Sequence, residues 1–284
     1  MSSAPEAALP PSPFATADVY IRAADEAGLL SRIGRLPLVA GEYREPATGE
    51  LQCLVEHADP ELLAHAPRML DVLFRRFPDC AAAVVRVPAH ITPHPVLRPL
   101  HTYLRHTAAP PPDDAPACDL VDIDHAADHS HRDQDFVGRW LTRALHDAAV
   151  DRGHTPDESG VEDSVHRLLA APDRRSLLVR VPGRPDPVGH ATMLTDAHDD
   201  VSDTRFVELV DILVDDSSLR RLATERLVAA CARTAAALGL PLVGNVSHPL
   251  HDGGADPAAE IVAALRRQRW TPTHVYRHAV RPRP

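Results

Sequence analysis

The stretch FVELVDILVDDSSLRRLATERLVAACARTAAALGLPLVGNV, from Phe206 to Val246, decides the fold. Its opening, Phe206 to Val214, is apolar except for Glu208 and Asp211, the near-continuous pattern of a strand at a sheet centre. Leu222 to Leu238 then reads as a helix, closed by Gly239 in the usual C-terminal position. Pro241 to Val246 returns as a strand. The unit is strand, helix, strand.

Working outward, Asp119 to Ile123 reads as a strand. A helix follows with Phe136, Val137, Trp140, Leu141, Ala144 and Leu145 on its inner face, and Val161 to Leu169 is a second helix. Leu177 to Val181 and Val188 to Leu194 form an antiparallel pair across the turn Gly183-Arg184-Pro185-Asp186. After the central unit, Pro257 to Arg267 is a helix and Val275 to Val280 a last strand.

Upstream, TAAPPPDDAPA, Thr107 to Ala117, breaks the pattern, because consecutive prolines favour extended geometry and cannot continue a helix. It reads as a linker over 107–117 between a unit at 14–106 and another at 118–284, with 1–13 a disordered Pro/Ala tail. In the first unit, Ala23 to Arg35 carries Leu29, Leu30 and Ile33 at helical spacing. Pro37 to Tyr43 and Leu51 to His57 suggest a hairpin. Pro67 suits a helix first turn, with Met69, Leu70, Leu73 and Phe74 on one face. Ala81 to Val87 reads as a strand and Val96 to Tyr103 as a helix. The order strand (51–57), helix (67–77), strand (81–87) repeats the order of 206–246, so the first unit is either a shortened copy of the second or a chance likeness.

Composition excludes several functions. The 284 residues are 44% hydrophobic, enough for a buried core, and no run reaches the roughly 20 apolar residues of a membrane span. The N-terminus has neither the basic start nor the apolar run of a signal peptide. A net charge of −10 argues against nucleic acid as the partner. There is no lysine, which removes Schiff-base chemistry and, with the Ala and Pro abundance, suggests a GC-rich genome. The four cysteines are scattered without metal spacing; Cys53 and Cys231 lie in apolar contexts and read as buried thiols in a reducing cytoplasm.

The element order from Cys118 to about Val280, with Val188-Gly189-His190-Ala191, Val207 to Val214 and Leu265 to Trp270 as the best local matches, resembles the GNAT superfamily of acyl-CoA-dependent N-acyltransferases. The resemblance implies an α/β fold with a mixed sheet, an acyl-thioester donor (acetyl-CoA, another acyl-CoA or an acyl-carrier protein), no metal, and an amine acceptor on a small molecule or peptide. A setting in bacterial secondary metabolism, and a homodimer formed through the first unit, are further expectations. In the family, a helix N-terminus after the fourth strand holds the donor's pyrophosphate, using Arg or Gln, two residues, Gly, one residue, then Gly or Ala. Here the positions read Leu219-Arg220-Arg221-Leu222-Ala223-Thr224, so Leu222 and Thr224 replace the two small residues. Arg220 and Arg221 either reach phosphate with their side chains or are solvated charges opposing the helix dipole. The donor's phosphopantetheine arm needs only backbone, at Leu213 and Val214. These departures leave a non-catalytic GNAT-like binding protein or scaffold as the alternative.

An amine must lose a proton to attack, so a carboxylate or histidine is expected near the reacting carbon. Glu208 stands at the family's general-base position, and alternation puts Asp211 on the opposite face as a structural partner. His248, just past the fifth strand, is a second candidate; His190 carries less weight among 18 histidines. Leu265 occupies the place of the family's acidic Tyr, and Tyr276 is another hydroxyl. Asp122 to Asp135 (DIDHAADHSHRDQD) reads as a solvated loop on the acceptor rim, where Asp133 and Asp135 would meet a cation; His125, His129 and His131 there match no zinc spacing.

Overall fold

A computed structural model describes residues 14–107, 120–126, 130–250 and 256–282. The expected tail 1–13, almost all of the expected linker, Cys118 and His129 lie outside the described residues.

In chain order the elements are α1 (Asp18–Glu26), β1 (Leu30–Ile33), β2 (Leu36–Arg44), β3 (Leu51–Ala58), α2 (Pro60–Ala64), α3 (Ala66–Arg76), β4 (Ala82–Pro88) and β5 (Arg98–His106). There follow β6 (Asp122–His125), α4 (His131–Asp151), α5 (Glu158–Ala170), β7 (Arg174–Arg180), β8 (Gly189–Asp199), β9 (Thr204–Val214), α6 (Arg220–Ala237), β10 (Leu242–Ser247), α7 (Pro257–Arg267) and β11 (Trp270–Val280). All strands join one mixed sheet in the order β1-β2-β3-β4-β11-β5-β10-β9-β8-β7-β6.

Two sequence expectations give way here. Ala23 to Arg35 is not one helix: Gly28 (φ 71°) ends the first turns and Gly34 (φ 67°) makes the hairpin of β1 with β2. Val96 to Tyr103 is not a helix: Val96 and Leu97 form a turn, and from Arg98 the chain is strand β5, where Leu100, Thr102 and Leu104 are buried in alternation.

Each half shows the same succession of pairings. β2 pairs antiparallel with β3, which crosses through α3 to pair parallel with β4; β8 pairs antiparallel with β9, which crosses through α6 to pair parallel with β10. In each, the middle strand carries one unopposed residue, Glu56 in β3 and Val210 in β9. The strands that would complete the halves are exchanged. β11 pairs with β4, β5 pairs with β10, and the two exchanged strands pair with each other.

Leu62, Met69, Leu73 and Phe74 pack α2 and α3 on the first half's strands, and Leu227, Cys231 and Ala235 pack α6 on the second's. On the opposite face, Val137, Trp140, Leu141, Val161 and Val165 from α4 and α5 cover Leu178, Val210 and Leu213. The amphipathic spacing of α3 is what such a face requires.

Helix α5 docks on the first half at close range. Asp157 N–H donates to the Ala47 carbonyl at 2.7 Å, and a methyl group on Gly160 would lie 1.8 Å from the Pro46 carbonyl oxygen. Gly160→Ala must push backbone against backbone, and a loss of about 2–3 kcal/mol is expected. Urea unfolding measures it; a variant with the wild-type midpoint would mean that α5 does not sit here.

Candidate active site

β9 and β10 pair only through Val207–Leu242, Glu208–Val243 and Leu209–Gly244. Beyond those pairs they part, at the position where Val210 is unopposed on the β8 side. A cleft of about 640 Å³ opens between them. Its walls come from both faces of the sheet: Thr224, Val228, Leu265 and Trp270 on the α6–α7 side, Leu141, Leu145, Ala148 and Leu168 on the α4–α5 side. The diverging strands supply Leu209 to Ile212 and Gly244 to Ser247. The cleft therefore passes from one face of the sheet to the other.

The extra residue in β9 changes the parity of the strand. Val207, Leu209, Ile212 and Val214 pack with α6, whereas Val210 and Leu213 pack with α4 and α5. Glu208 lies beside Val243, across from that α6 face, and Asp211 bonds His190, whose ring stacks on Trp140 of α4. Glu208 and Asp211 thus share a face, contrary to simple alternation, because a bulge adds one residue to the count.

Asp211 borders the cleft and Glu208 does not line it. Glu208 is half-buried, and burial first, then the charge of Asp173, raises its carboxyl above the usual range. His248 is buried beside the cleft. Its Nε2 meets the Thr102 hydroxyl at 2.8 Å, and its Nδ1 meets the Asp256 carboxylate, the cap of α7, at 3.0 Å. Both ring nitrogens are thereby engaged in tying α7 to β5. Tyr276 lies away from the cleft, its hydroxyl donating to Glu56 at 3.0 Å.

The first half supplies what the sequence reading missed: His101 and Leu104 from β5, and Glu45 at the end of β2. His101 meets the Ser247 hydroxyl at 3.0 Å; burial, then the charges of Arg152 and His248, hold its imidazole down at about 3. Arg152, just past α4, approaches Glu45 at 3.7 Å. Only the exchange of β5 into the second half brings His101 and Leu104 to β10, and no local motif signals it.

At the start of α6 the anticipated donor residues divide. Thr224 reaches the cleft, Leu222 and Leu219 pack toward the core, and Ala223 is fully buried. Arg220 Nε donates to the Val214 carbonyl at 3.4 Å, and Arg221 is exposed and pairs with Glu225 at 3.0 Å. The loop before the helix carries Asp215 and Asp216. Asp215 accepts from Trp140 Nε1 at 2.9 Å and Arg143 at 2.5 Å; burial works against the charge, but those bonds hold the carboxyl below its usual range. Asp216 is lowered to about 2 by Ser218 and Arg184. The loop has no glycine, and it carries two carboxylates, each engaged by an arginine.

The stretch 122–135 is not one loop. Residues 122–125 are strand β6, and His131 to Asp135 form the first turn of α4, with Asp133 buried and paired to Arg180 at 3.0 Å. Asp135 is exposed. Among the described residues no group of His, Cys, Asp or Glu is placed to hold a metal, and no helix is long and apolar enough to cross a membrane.

The sequence matches no family model and no curated protein. Among solved structures, the chain is similar to a GCN5-related N-acetyltransferase from Sphaerobacter thermophilus, with a TM-score of 0.50, 12% identity, and 86% of this chain and 75% of that one covered. The chain has the GNAT fold. Looser likenesses are a conserved protein of unknown function from Staphylococcus epidermidis (TM-score 0.48, 12% identity, 87% and 91% covered) and a GNAT-family acetyltransferase from Colwellia psychrerythraea (TM-score 0.44, 11% identity, 88% and 83% covered). A GNAT likeness over 86% of the chain takes in more than the 118–280 stretch on which the sequence resemblance rests.

Proposed function

We propose that the protein is an N-acyltransferase that moves an acyl group from a thioester to an amine of a small molecule or peptide. The observation that carries this reading is the through-sheet cleft where β9 and β10 part. A bound acyl thioester supplies the activated carbonyl. The chain's own part is to hold the donor arm along the open edge of β9, near Leu213 and Val214, and to admit the amine from the α4–α5 face. Asp211, on that face and on the cleft wall, takes the amine proton. Glu208 lies three residues back on the same face.

The departure at the α6 loop supports a donor held chiefly by its arm, with Arg220 and Arg221 as the available phosphate contacts. Acyl-CoA and acyl-carrier protein both present that arm. The first half, with its matching pairings and bulge, reads as a shortened copy whose own gap, about 110 Å³ between β3 and β4, is bordered by Phe14 and Thr16.

A donor at one hundred times its dissociation constant is expected to add about 2.7 kcal/mol to stability, a shift of several degrees in thermal unfolding. Acetyl-pantetheine, which lacks the pyrophosphate, is expected to bind within about tenfold of acetyl-CoA. No shift with acetyl-CoA, a long-chain acyl-CoA or an acyl-carrier protein would overturn the reading. The acid-bearing loop favours one second reading, a binding protein of this fold. It predicts the shift without turnover.

A further inference from the structure

Asp211 does not stand alone on the cleft wall. Its Oδ2 is 2.8 Å from His190 Nε2, and His190 Nδ1 is 3.1 Å from the Thr192 hydroxyl. Thr192 is 3.0 Å from the Ser176 hydroxyl, and Ser176 accepts from Arg174 at 2.8 Å. Arg174 in turn donates to Gln134 at 2.9 Å. His190 and Thr192 are fully buried, and the imidazole lies flat on Trp140, with centroids 5.1 Å apart and planes 8° apart. The chain crosses β9, β8 and β7 and ends at α4.

The direction of every bond follows from the donors available. A guanidinium only donates, a carboxylate only accepts, and each hydroxyl has one hydrogen. An ionised Asp211 at 2.8 Å requires a proton between it and His190. A neutral imidazole has one, so it sits on Nε2 and Nδ1 must accept. Thr192 then donates to Nδ1, accepts from Ser176, and Ser176 accepts from Arg174. No other arrangement leaves all of these groups satisfied with one proton on the ring.

We propose that His190 is the positioning residue of Asp211, fixed as its Nε2–H tautomer by a one-way run of donors from Arg174 through Ser176 and Thr192. This rests on the acyltransferase reading for its purpose, not for its geometry. The run aims one oxygen of Asp211 at His190 and leaves the other for the amine proton. Other charged or titratable groups around Asp211 are Glu208 and Asp215 on its own strand and the loop after it, Arg143 and Arg152 from α4 and its end, His101 from β5, and Glu45 from β2's end. Thr224 from α6 is neutral.

The test has two arms. Nitrogen-15 NMR of ring-labelled protein is expected to show His190 as the neutral Nε2–H tautomer, and Thr192→Val is expected to leave the proton on Nε2 while moving the Nδ1 resonance to that of an acceptor without a donor. This arm needs no turnover, so it separates failure of this inference from failure of the acyltransferase reading. In the second arm, His190→Phe is expected to lower kcat about tenfold with KM unchanged. His190→Gln, whose amide N–H still donates, is expected to restore the rate. An Nδ1–H or doubly protonated His190, or a kcat in the Phe variant equal to wild type while the fold is intact, overturns the proposal.

Discussion

Asp211→Asn is expected to lower kcat by about 10²–10⁴-fold while leaving donor binding and melting temperature near wild type. The substitution keeps the size of the side chain and a polar partner for His190, so what it removes is the proton-accepting charge. Glu208→Gln is expected to cost less than about tenfold, because Glu208 lies outside the cleft lining. The comparison has force because burial and Asp173 tune Glu208 upward, which is how a base is often prepared. Rate constants for both variants with one amine acceptor decide between position and tuning. A larger loss in Glu208→Gln would move the base three residues back along β9.

The second large effect is on stability. Arg86 of β4 holds Asp199 of β8 in a bidentate pair at 2.6 and 2.7 Å, with Glu56 at 4.0 Å and the Phe14 carbonyl at 3.5 Å. Both side chains are nearly excluded from solvent, and Ser202 also donates to Asp199. Arg86→Met strands a buried carboxylate and is expected to cost about 3–5 kcal/mol in denaturant unfolding. Burial alone would raise the Asp199 carboxyl; the Arg86 hydrogen bonds and charge overcome it and hold it low. Its contribution is therefore fully present above the ordinary carboxylate value of 3.8 and is lost as pH falls through the lower folded value. The wild-type protein should lose its margin over Arg86→Met in that acid window. A margin that persists below it, or a loss under 1 kcal/mol at neutral pH, would mean the pair does not bind the halves.

Much of this was legible in the sequence. Phe206 to Val246 gave strand, helix and strand because each element has its own periodicity and Gly239 (φ 66°) stops the helix. The hairpin of β2 with β3 and the α3 face of Met69, Leu70, Leu73 and Phe74 were readable for the same reason. What failed was short or nonlocal. Leu29, Leu30 and Ile33 suit a helix or a strand in so brief a window, and β5 showed its alternation of Leu100, Thr102 and Leu104 only beside a misleading apolar start. Parity along β9 was lost because nothing in VELVDIL marks the unopposed Val210. His101 and Glu45 were out of reach, since their place in the cleft depends on which strand completes which half.

The exchange of β5 and β11 also sets an order on folding. During synthesis β4 emerges with β3 already beside it, yet its other edge has no partner until β11 is made. β5 likewise waits for β10. For that interval the nascent first half presents an open strand edge of Ala82 to Pro88, mostly buried apolar residues in the finished sheet, which is the kind of edge that recruits other chains. The long-range pairings that close it are the slow step of such a topology. The sheet is sewn shut by its late strands.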